Sequence, residues 1–265
     1  SRPPPRATLF PYPPLFRSLA EEKPLQIMGT INAYCAMMAE QVGYRAIYLS
    51  GGGVANASYG MPDLGMTSLN EVLEDVRRIS SATEVPLLVD IDTGWGGAFN
   101  ISRTVKEMIK AGAGAVHLED QVAQKRCGHR PNKEIVSKEE MVDRIKAAVD
   151  GRTDCDFFII ARNDSFQKEG LSAAIDRAKA CLDAGSDGIF ADAVHTLEDY
   201  KSFADGIGGA HLLADGDLDP AINRHVDLEA GTKIHKTAAL ALPHTLAGLH
   251  ITAWAARYQA GVDGH

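Results

Sequence analysis

The chain has 265 residues, 45% of them hydrophobic, and a formal net charge of -8 at pH 7, which suits one large domain with a sizeable core. Its acidity speaks against a nucleic-acid partner or an anionic membrane surface, because both need a basic face. No apolar run reaches the ~18 residues of a membrane span and no charged stretch precedes a leader-like core, so the chain reads as soluble and cytoplasmic.

Residues 1–18 are rich in Pro and Arg and lack periodicity. Thr8–Tyr12 and Leu15–Ser18 read either as the translated remnant of a sequencing adapter or as a Pro-rich arm, and both readings set the segment aside from the fold. From Leu25 onward short apolar runs alternate with longer stretches of helical period, which is the signature of repeated β-α units around a parallel sheet. The predicted strands are Leu25–Ile31, Ala46–Ser50, Pro86–Asp92, Ala113–Asp120, Phe157–Asp164, Asp187–Ala193 and Ala210–Asp215. Between them helices are expected from Asn32 or Ala33 to Gln41, Ser68 to Ser81, Asn100 to Ala111, Ser137 to Val149 and Leu171 to Ala184. Ser68 with Glu71 makes a capping box, Ser137 with Glu140 repeats it, and Gly43, Gly112 and Gly185 supply the stops. Seven strands over about 250 residues fit a (β/α)8 barrel lacking one clear strand better than an open doubly wound sheet. The barrel would span residues 19–215, followed by a divergent tail at 216–265.

The polar residues favour the barrel. Ser50 closes the second strand, Asp90 and Asp92 the third, and Glu119 and Asp120 the fourth. Arg162, Asn163 and Asp164 close the fifth, Asp192 the sixth and Asp215 the seventh. Any one acid could be an ordinary helix N-cap, but in a barrel all these ends meet on one face, where active sites of this fold lie.

Asp90 and Asp92 stand two apart and leave the same face of a strand. With Glu119 on the next strand they make an all-oxygen site suited to Mg²⁺, or else acids satisfied by backbone amides. Ser50-Gly51-Gly52-Gly53 follows a strand and frees backbone N–H groups to approach an anion, or forms a plain turn; it lacks the pattern of a Walker A or dinucleotide loop. Lys125-Arg126-Cys127-Gly128-His129 packs a thiol, an imidazole and two cations onto a polar loop after the fourth strand. Cys127 could be a core thiol; in that company it reads as a proton donor, since a thiol of ordinary pKa ~8.5 stays protonated at neutral pH. His129 and Lys125 could bind a substrate carboxylate, and Arg162 could clamp one with both arms. The four cysteines form no C-x-x-C pair, so reduced thiols are expected. Cys35, Cys155 and Cys181 read as packing residues, His117 as structural, and Met37 and Met38 as core.

These stretches resemble the isocitrate lyase and phosphoenolpyruvate mutase superfamily, and within it the methylisocitrate-cleaving branch. The likeness is carried by Lys125 to His129, by Arg130 to Lys133 and Val136 to Arg144, by Tyr48 to Gly53, by Asp90 to Gly96 and by Glu119 to Gln121. It runs from about Leu19 to Ala214. The resemblance implies a (β/α)8 barrel, Mg²⁺, a homotetramer, and cleavage of 2-methylisocitrate to pyruvate and succinate in propionate catabolism. By position it implies that Asp92 ligates Mg²⁺ while Asp90 and Glu119 hold its waters. Ser50, Gly51, Gly52 and Arg162 would then grip the pyruvate-forming half, Gly128 and His129 the succinate half, and Cys127 would protonate the carbanion, with Tyr48 a candidate base.

Three departures stand out. Asn163 replaces the family's usual Thr, and Ala191-Asp192 replaces Pro-Glu, so Asp192 reaches one methylene less far. After Ala214 the chain reads Asp215-Gly216-Asp217-Leu218 where Asn and then Thr-Glu are expected, and the likeness ends. A frame shift near Asp215 would explain the tail and would leave the eighth strand missing or replaced. The competing functions are an isocitrate lyase or oxaloacetate-type decarboxylase of the same superfamily, and an impaired barrel that only binds carboxylates.

Overall fold

Eight parallel strands form the centre of the computed structural model, which describes residues 15, 18–19, 22, 25–127, 132–194, 196–215 and 233–237. They are β1 (Leu25–Gly29), β2 (Ala46–Leu49), β3 (Leu87–Asp90), β4 (Ala115–Glu119), β5 (Phe158–Asn163), β6 (Gly188–Ala191), β7 (His211–Asp215) and β8 (Lys233–Thr237). Each pairs with the next, and β8 pairs with both β7 and β1, so the sheet closes into a barrel in sequence order. The eighth position, for which the sequence offered no clear strand, is therefore taken by Lys233–Thr237. Residues 216–232 and 238–265, on which the frame-shift reading of the tail rests, lie outside the described residues.

Strands β2 to β6 are buried on both faces, which is why they read as continuous apolar runs. Alternation divides them cleanly. Ile27, Ala46, Tyr48, Leu88, Ala115, Phe158, Ile160, Phe190 and Leu213 fill the barrel interior. Their neighbours Ile47, Leu49, Leu87, Val89, Val116, Leu118, Ile159, Ala161, Ile189 and Leu212 pack outward against the helices. Burying each such aliphatic or aromatic side chain stabilises the fold by about 1.5–3 kcal/mol before chain entropy is counted.

The helical layer comprises α1 (Ala33–Val42), α2 (Gly51–Tyr59), α3 (Leu69–Ser80), α4 (Ala98–Ala111), α5 (Lys138–Gly151), the short α6 (Phe166–Glu169), α7 (Leu171–Asp183) and α8 (Leu197–Gly206). Helix α3 starts with the expected Ser68–Glu71 capping box and buries Val72, Leu73, Val76 and Ile79 on one stripe. An Asp at Val76 would place an uncompensated charge in that stripe. Helix α4 stops where Gly112 turns left-handed at φ 95°, and a Cβ there would also land 2.8 Å from Ser80 Cβ.

Four expectations change. Helix α2 occupies the triple-glycine stretch, which low helix propensity disguised. Met37 is 52% exposed, not core, and Cys155 is exposed, not packed. Within the segment that the sequence set aside, Leu15 and Ser18 are helical and buried. Leu15 and Leu19 join the interior cluster with Leu25, Ala46 and Phe158, and the Ser18 hydroxyl donates to the Arg45 carbonyl at 2.9 Å. They floor the end of the barrel where the strands begin, so the fold starts no later than Leu15.

Candidate active site

The other end of the barrel is polar because the register demands it. Asp90 lies opposite His117 across β3 and β4, and Glu119 opposite Arg162 across β4 and β5. Asp90, His117 and Arg162 stand two residues on from Leu88, Ala115 and Ile160, and Glu119 two on from His117, so all point into the same interior, above the apolar floor.

Asp90 is buried and tightly held. Its carboxylate accepts from the backbone N–H of Asp92 at 3.0 Å and of Gly51 at 3.1 Å, and lies 3.5 Å from the Tyr48 hydroxyl. Burial alone would raise its pKa; His117, Lys125 and Arg162, with the Asp92 N–H, outweigh that and hold it below the usual carboxylate range. The Tyr48 hydroxyl sits 2.9 Å from His117 Nε2, and the two rings stack at 5.6 Å. His117, read as structural from sequence, is fully buried and packs between Tyr48, the candidate base, and Phe190.

Asp92 turns left-handed at φ 48°, an uncommon conformation for a residue other than glycine. This aims its carboxylate at Lys125, whose Nζ lies 2.6 Å from Asp92 Oδ1 and 2.6 Å from Asp63 Oδ1. Burial, reinforced by the charges of Asp90 and Asp63 and opposed by Lys125, pushes Asp92 up to about 6. The glycines crowd against these acids. A Cβ on Gly51 would stand 2.9 Å from Asp92 Oδ1, and one on Gly52 would stand 3.0 Å from Asp63 Oδ2. Ser50 serves as the N-cap of α2, accepting from Gly53 N at 3.3 Å. The glycine run is thus a helix N-terminus whose first amide, that of Gly51, donates to Asp90, rather than an open loop.

Arg162 is buried, and its guanidinium is engaged: Nε donates to Asp164 Oδ2 at 2.9 Å, one arm to Asp164 Oδ1 at 3.1 Å, and the arms approach Asp192 at 3.4 Å and Glu119 at 3.5 Å. Lys133 joins the same acids, 2.8 Å from Asp164 and 3.1 Å from Asp192. Beneath them Asp120 accepts from Asp164 N at 2.8 Å and faces Arg177 at 3.5 Å; burial, with the Asp164 charge, pushes Asp120 up to about 7. Lys133, Asp63, Asp164 and Gln121 were not picked out as site residues. Lys133 lies within the quoted motif, but nothing in its sequence neighbourhood announces a buried ammonium.

Metal fit can be tested on the acids themselves. Among the described residues, the three ligand atoms that converge within 4.8 Å belong to Asp154, Cys155 and Asp156, all exposed, and not to Asp90, Asp92 and Glu119. The three site acids therefore do not form a ready direct triad. Both Glu119 oxygens are nevertheless buried without a hydrogen-bond donor, and burial drives Glu119 well above its ordinary pKa despite Arg162 and Lys125. Oxygens so placed call for more positive charge and for donors. A Mg²⁺ ion, which keeps most of its waters, would supply both, so the residues present fit a hydrated ion.

Cys127 is half-buried on the hairpin that follows β4, and an isolated bridge between Gln121 and Ile135 closes that hairpin's base. Of the predicted set, Tyr48, Ser50, Asp90, Asp92, Glu119, Lys125, Arg162 and Asp192 lie at the C-terminal ends of the strands or on the loops above them, and Gly51 and Gly52 open α2 beside them. Gly128 and His129 lie outside the described residues.

Comparison with known proteins is consistent with this geometry. The sequence profile of the phosphoenolpyruvate phosphomutase family matches residues 16–223. A 2-methylisocitrate lyase of Shewanella oneidensis is 68% identical over 187 residues, covering 71% of this chain and 64% of that protein. The chain thus spans less than two thirds of that relative's length. The structure of an oxaloacetate acetylhydrolase bound to 3,3-difluorooxalacetate superposes with a TM-score of 0.80 at 27% identity, covering 95% of this chain and 86% of the other. That of a phosphonopyruvate hydrolase with oxalate and Mg²⁺ superposes with a TM-score of 0.74 at 27% identity, covering 93% and 83%.

Proposed function

This chain belongs to the phosphoenolpyruvate phosphomutase family, and we propose that within it the chain is a Mg²⁺-dependent carbon–carbon lyase that splits 2-methylisocitrate into pyruvate and succinate. The observation that carries the reading is the meeting of the Lys125–Cys127 loop with Asp92: a thiol-bearing hairpin is pinned by Lys125 to the acid that would hold the metal. Identity of 68% to a 2-methylisocitrate lyase supports the choice of substrate.

Asp92 would hold the ion, with Asp90 and Glu119 on its waters. When bound, it would stabilise the oxyanion charge that develops as the bond breaks. Tyr48, passing its own phenolic proton to His117 Nε2 at 2.9 Å, takes the substrate's hydroxyl proton; the oxygen closes to the keto group of pyruvate as the adjacent carbon–carbon bond breaks. The electron pair stays on the succinate carbon, delocalised into its carboxylate. Cys127 then gives that carbon the thiol proton, and the proton removed at the start balances the thiolate. The N-terminus of α2 offers its dipole, and Arg162 a cation, to the carboxylate of the pyruvate half.

The test is turnover of the purified chain. Pyruvate and succinate should appear in equal amounts from 2-methylisocitrate, with no glyoxylate from isocitrate at a comparable rate. Turnover that persists in Cys127→Ala or in excess EDTA would overturn the mechanism. The oxaloacetate acetylhydrolase likeness makes oxaloacetate the necessary control substrate, with oxalate as the product to look for. A homotetramer and a role in propionate catabolism belong to the same proposal, and sedimentation of the full chain checks the first.

A further inference from the structure

The amide of Gln121 is fully buried and has every polar group spoken for. Its Oε1 accepts from the backbone N–H of Arg126 at 3.0 Å, and its Nε2 donates to the carbonyl of Arg126 at 3.0 Å and to Asp164 Oδ1 at 3.2 Å. The side chain therefore pairs with residue 126 as a strand neighbour would, across a loop that has no strand there. A flipped amide would set N–H against N–H and oxygen against the Asp164 carboxylate, so only one orientation fits. At the base of the same hairpin, Val122 N donates to Glu134 O at 3.0 Å and Val136 N to Asp120 O at 2.8 Å. These backbone bonds fix where the hairpin starts and ends, and Gln121 reaches from β4's end to the peptide directly before Cys127. Asp164, at the far side of the amide, is the carboxylate that Arg162 and Lys133 grip.

From this geometry we propose that Gln121 is a positioning residue: it sets Cys127 at a fixed offset from Arg162 through the chain Arg126–Gln121–Asp164–Arg162. The proposal rests on the reading of Cys127 as proton donor and Arg162 as carboxylate clamp. A donor has to meet the nascent carbanion while the other product fragment is still held. An error of about 1 Å in such a placement costs roughly 100-fold in rate. A Glu at position 121 keeps the bond from Arg126 N, loses both donors and faces Asp164 with a like charge. A Met keeps the length and loses all three bonds.

Gln121→Met and Gln121→Glu should lower kcat by about 50-fold or more while KM moves by less than about threefold. Alkylation of Cys127 by iodoacetamide, read by peptide mass spectrometry, should change at least about fivefold, with exposed Cys155 in the same molecule as the unmoved reference. In the unmutated protein the Arg126 amide should exchange with deuterium slowly, and this measurement decides the matter if neither variant folds. An Arg126 amide exchanging like an unprotected peptide would overturn the proposal. So would folded variants whose kcat and Cys127 alkylation stay within twofold of the parent. If Cys127→Ala retains turnover, the reading of Cys127 as proton donor fails, while Arg126 exchange and Cys127 alkylation still report on Gln121.

Discussion

Glu119 and Arg162 face each other in the register of β4 and β5, yet their charged atoms approach only to 3.5 Å and neither oxygen of Glu119 accepts a hydrogen bond. Arg162 spends its shorter bonds on Asp164. Glu119 is thus a carboxylate kept in a barrel interior without the donors it needs. Glu119→Gln should therefore raise the melting temperature of the metal-free protein by about 3–8 °C, a gain of roughly 1–2 kcal/mol. The same change should shrink the Mg²⁺-induced rise in melting temperature. Scanning fluorimetry in EDTA and in MgCl₂ reads both, and a variant that melts lower while keeping the parent's Mg²⁺ shift would refute the account.

Gly51 and Gly53 are two positions apart on α2 and should answer oppositely to alanine. At Gly51 the new Cβ meets Asp92 Oδ1 at 2.9 Å and Asp90 Oδ2 at 3.2 Å, so both acids must give way. At Gly53 the nearest atom is Ile31 Cγ2 at 3.4 Å, an ordinary contact. Gly51→Ala is expected to cost about 100-fold in turnover. Gly53→Ala should leave turnover within about twofold and stabilise the helix by about 0.5–1 kcal/mol. Steady-state kinetics beside urea titrations would show the contrast or its absence.

Asp164 is the acceptor for Arg162, Lys133 and Gln121, and it is itself buried. Asp164→Asn leaves two buried cations short of their main counter-charge, for a loss of about 3–5 kcal/mol. The exposed pair of Arg78 and Glu74 on α3 gives the reference. Glu74→Ala should change stability by no more than about 0.5 kcal/mol. Denaturation midpoints of the two variants would have to fall close together for this ranking to be wrong.

Cys181 is the buried thiol of α7, and burial, reinforced by Asp120, pushes it up to about 12. In the unfolded chain it titrates near ~8.5. The folded state thus binds this proton more tightly, and its contribution is fully present below about pH 8.5 and is lost as pH climbs toward 12, at up to ~1.4 kcal/mol per unit. Urea titrations between pH 8 and 10.5 should show the parent losing stability more steeply than Cys181→Ala; parallel slopes would dismiss Cys181 as the cause. Under native conditions a thiol reagent should label exposed Cys155 and spare Cys181 until the protein unfolds.

Much of this was legible because barrel chemistry is written at strand ends. Asp90, Asp92, Glu119, Arg162 and Asp192 each followed an apolar run, and the parallel register brings them to one mouth. Helix α2 was hidden because Ser50 looked like a loop residue when it is an N-cap, and three glycines argue against a helix on propensity alone. Their role is clearance for carboxylates, which only the packing discloses. Lys133 and Gln121 were missed for a different reason: an ammonium gripped by Asp164 and Asp192, and an amide tied both to Arg126 and to distant Asp164, have no local signal. Leu15 was set aside with its Pro-rich neighbours, although it packs with Leu19 into the barrel floor.

That floor gives the barrel interior one wet end. Leu15 and Leu19, packed on Leu25, Ala46 and Phe158, seal the side where strands begin, among the described residues. Tyr48 and His117 stand on this hydrocarbon plug with the carboxylate mouth above them. A proton that arrives at the pair from substrate has the mouth as its way back to solvent. Isotope carried in on the substrate's hydroxyl should then linger near the reacting atoms for as long as product fills that opening, which makes product departure the clock for its washout.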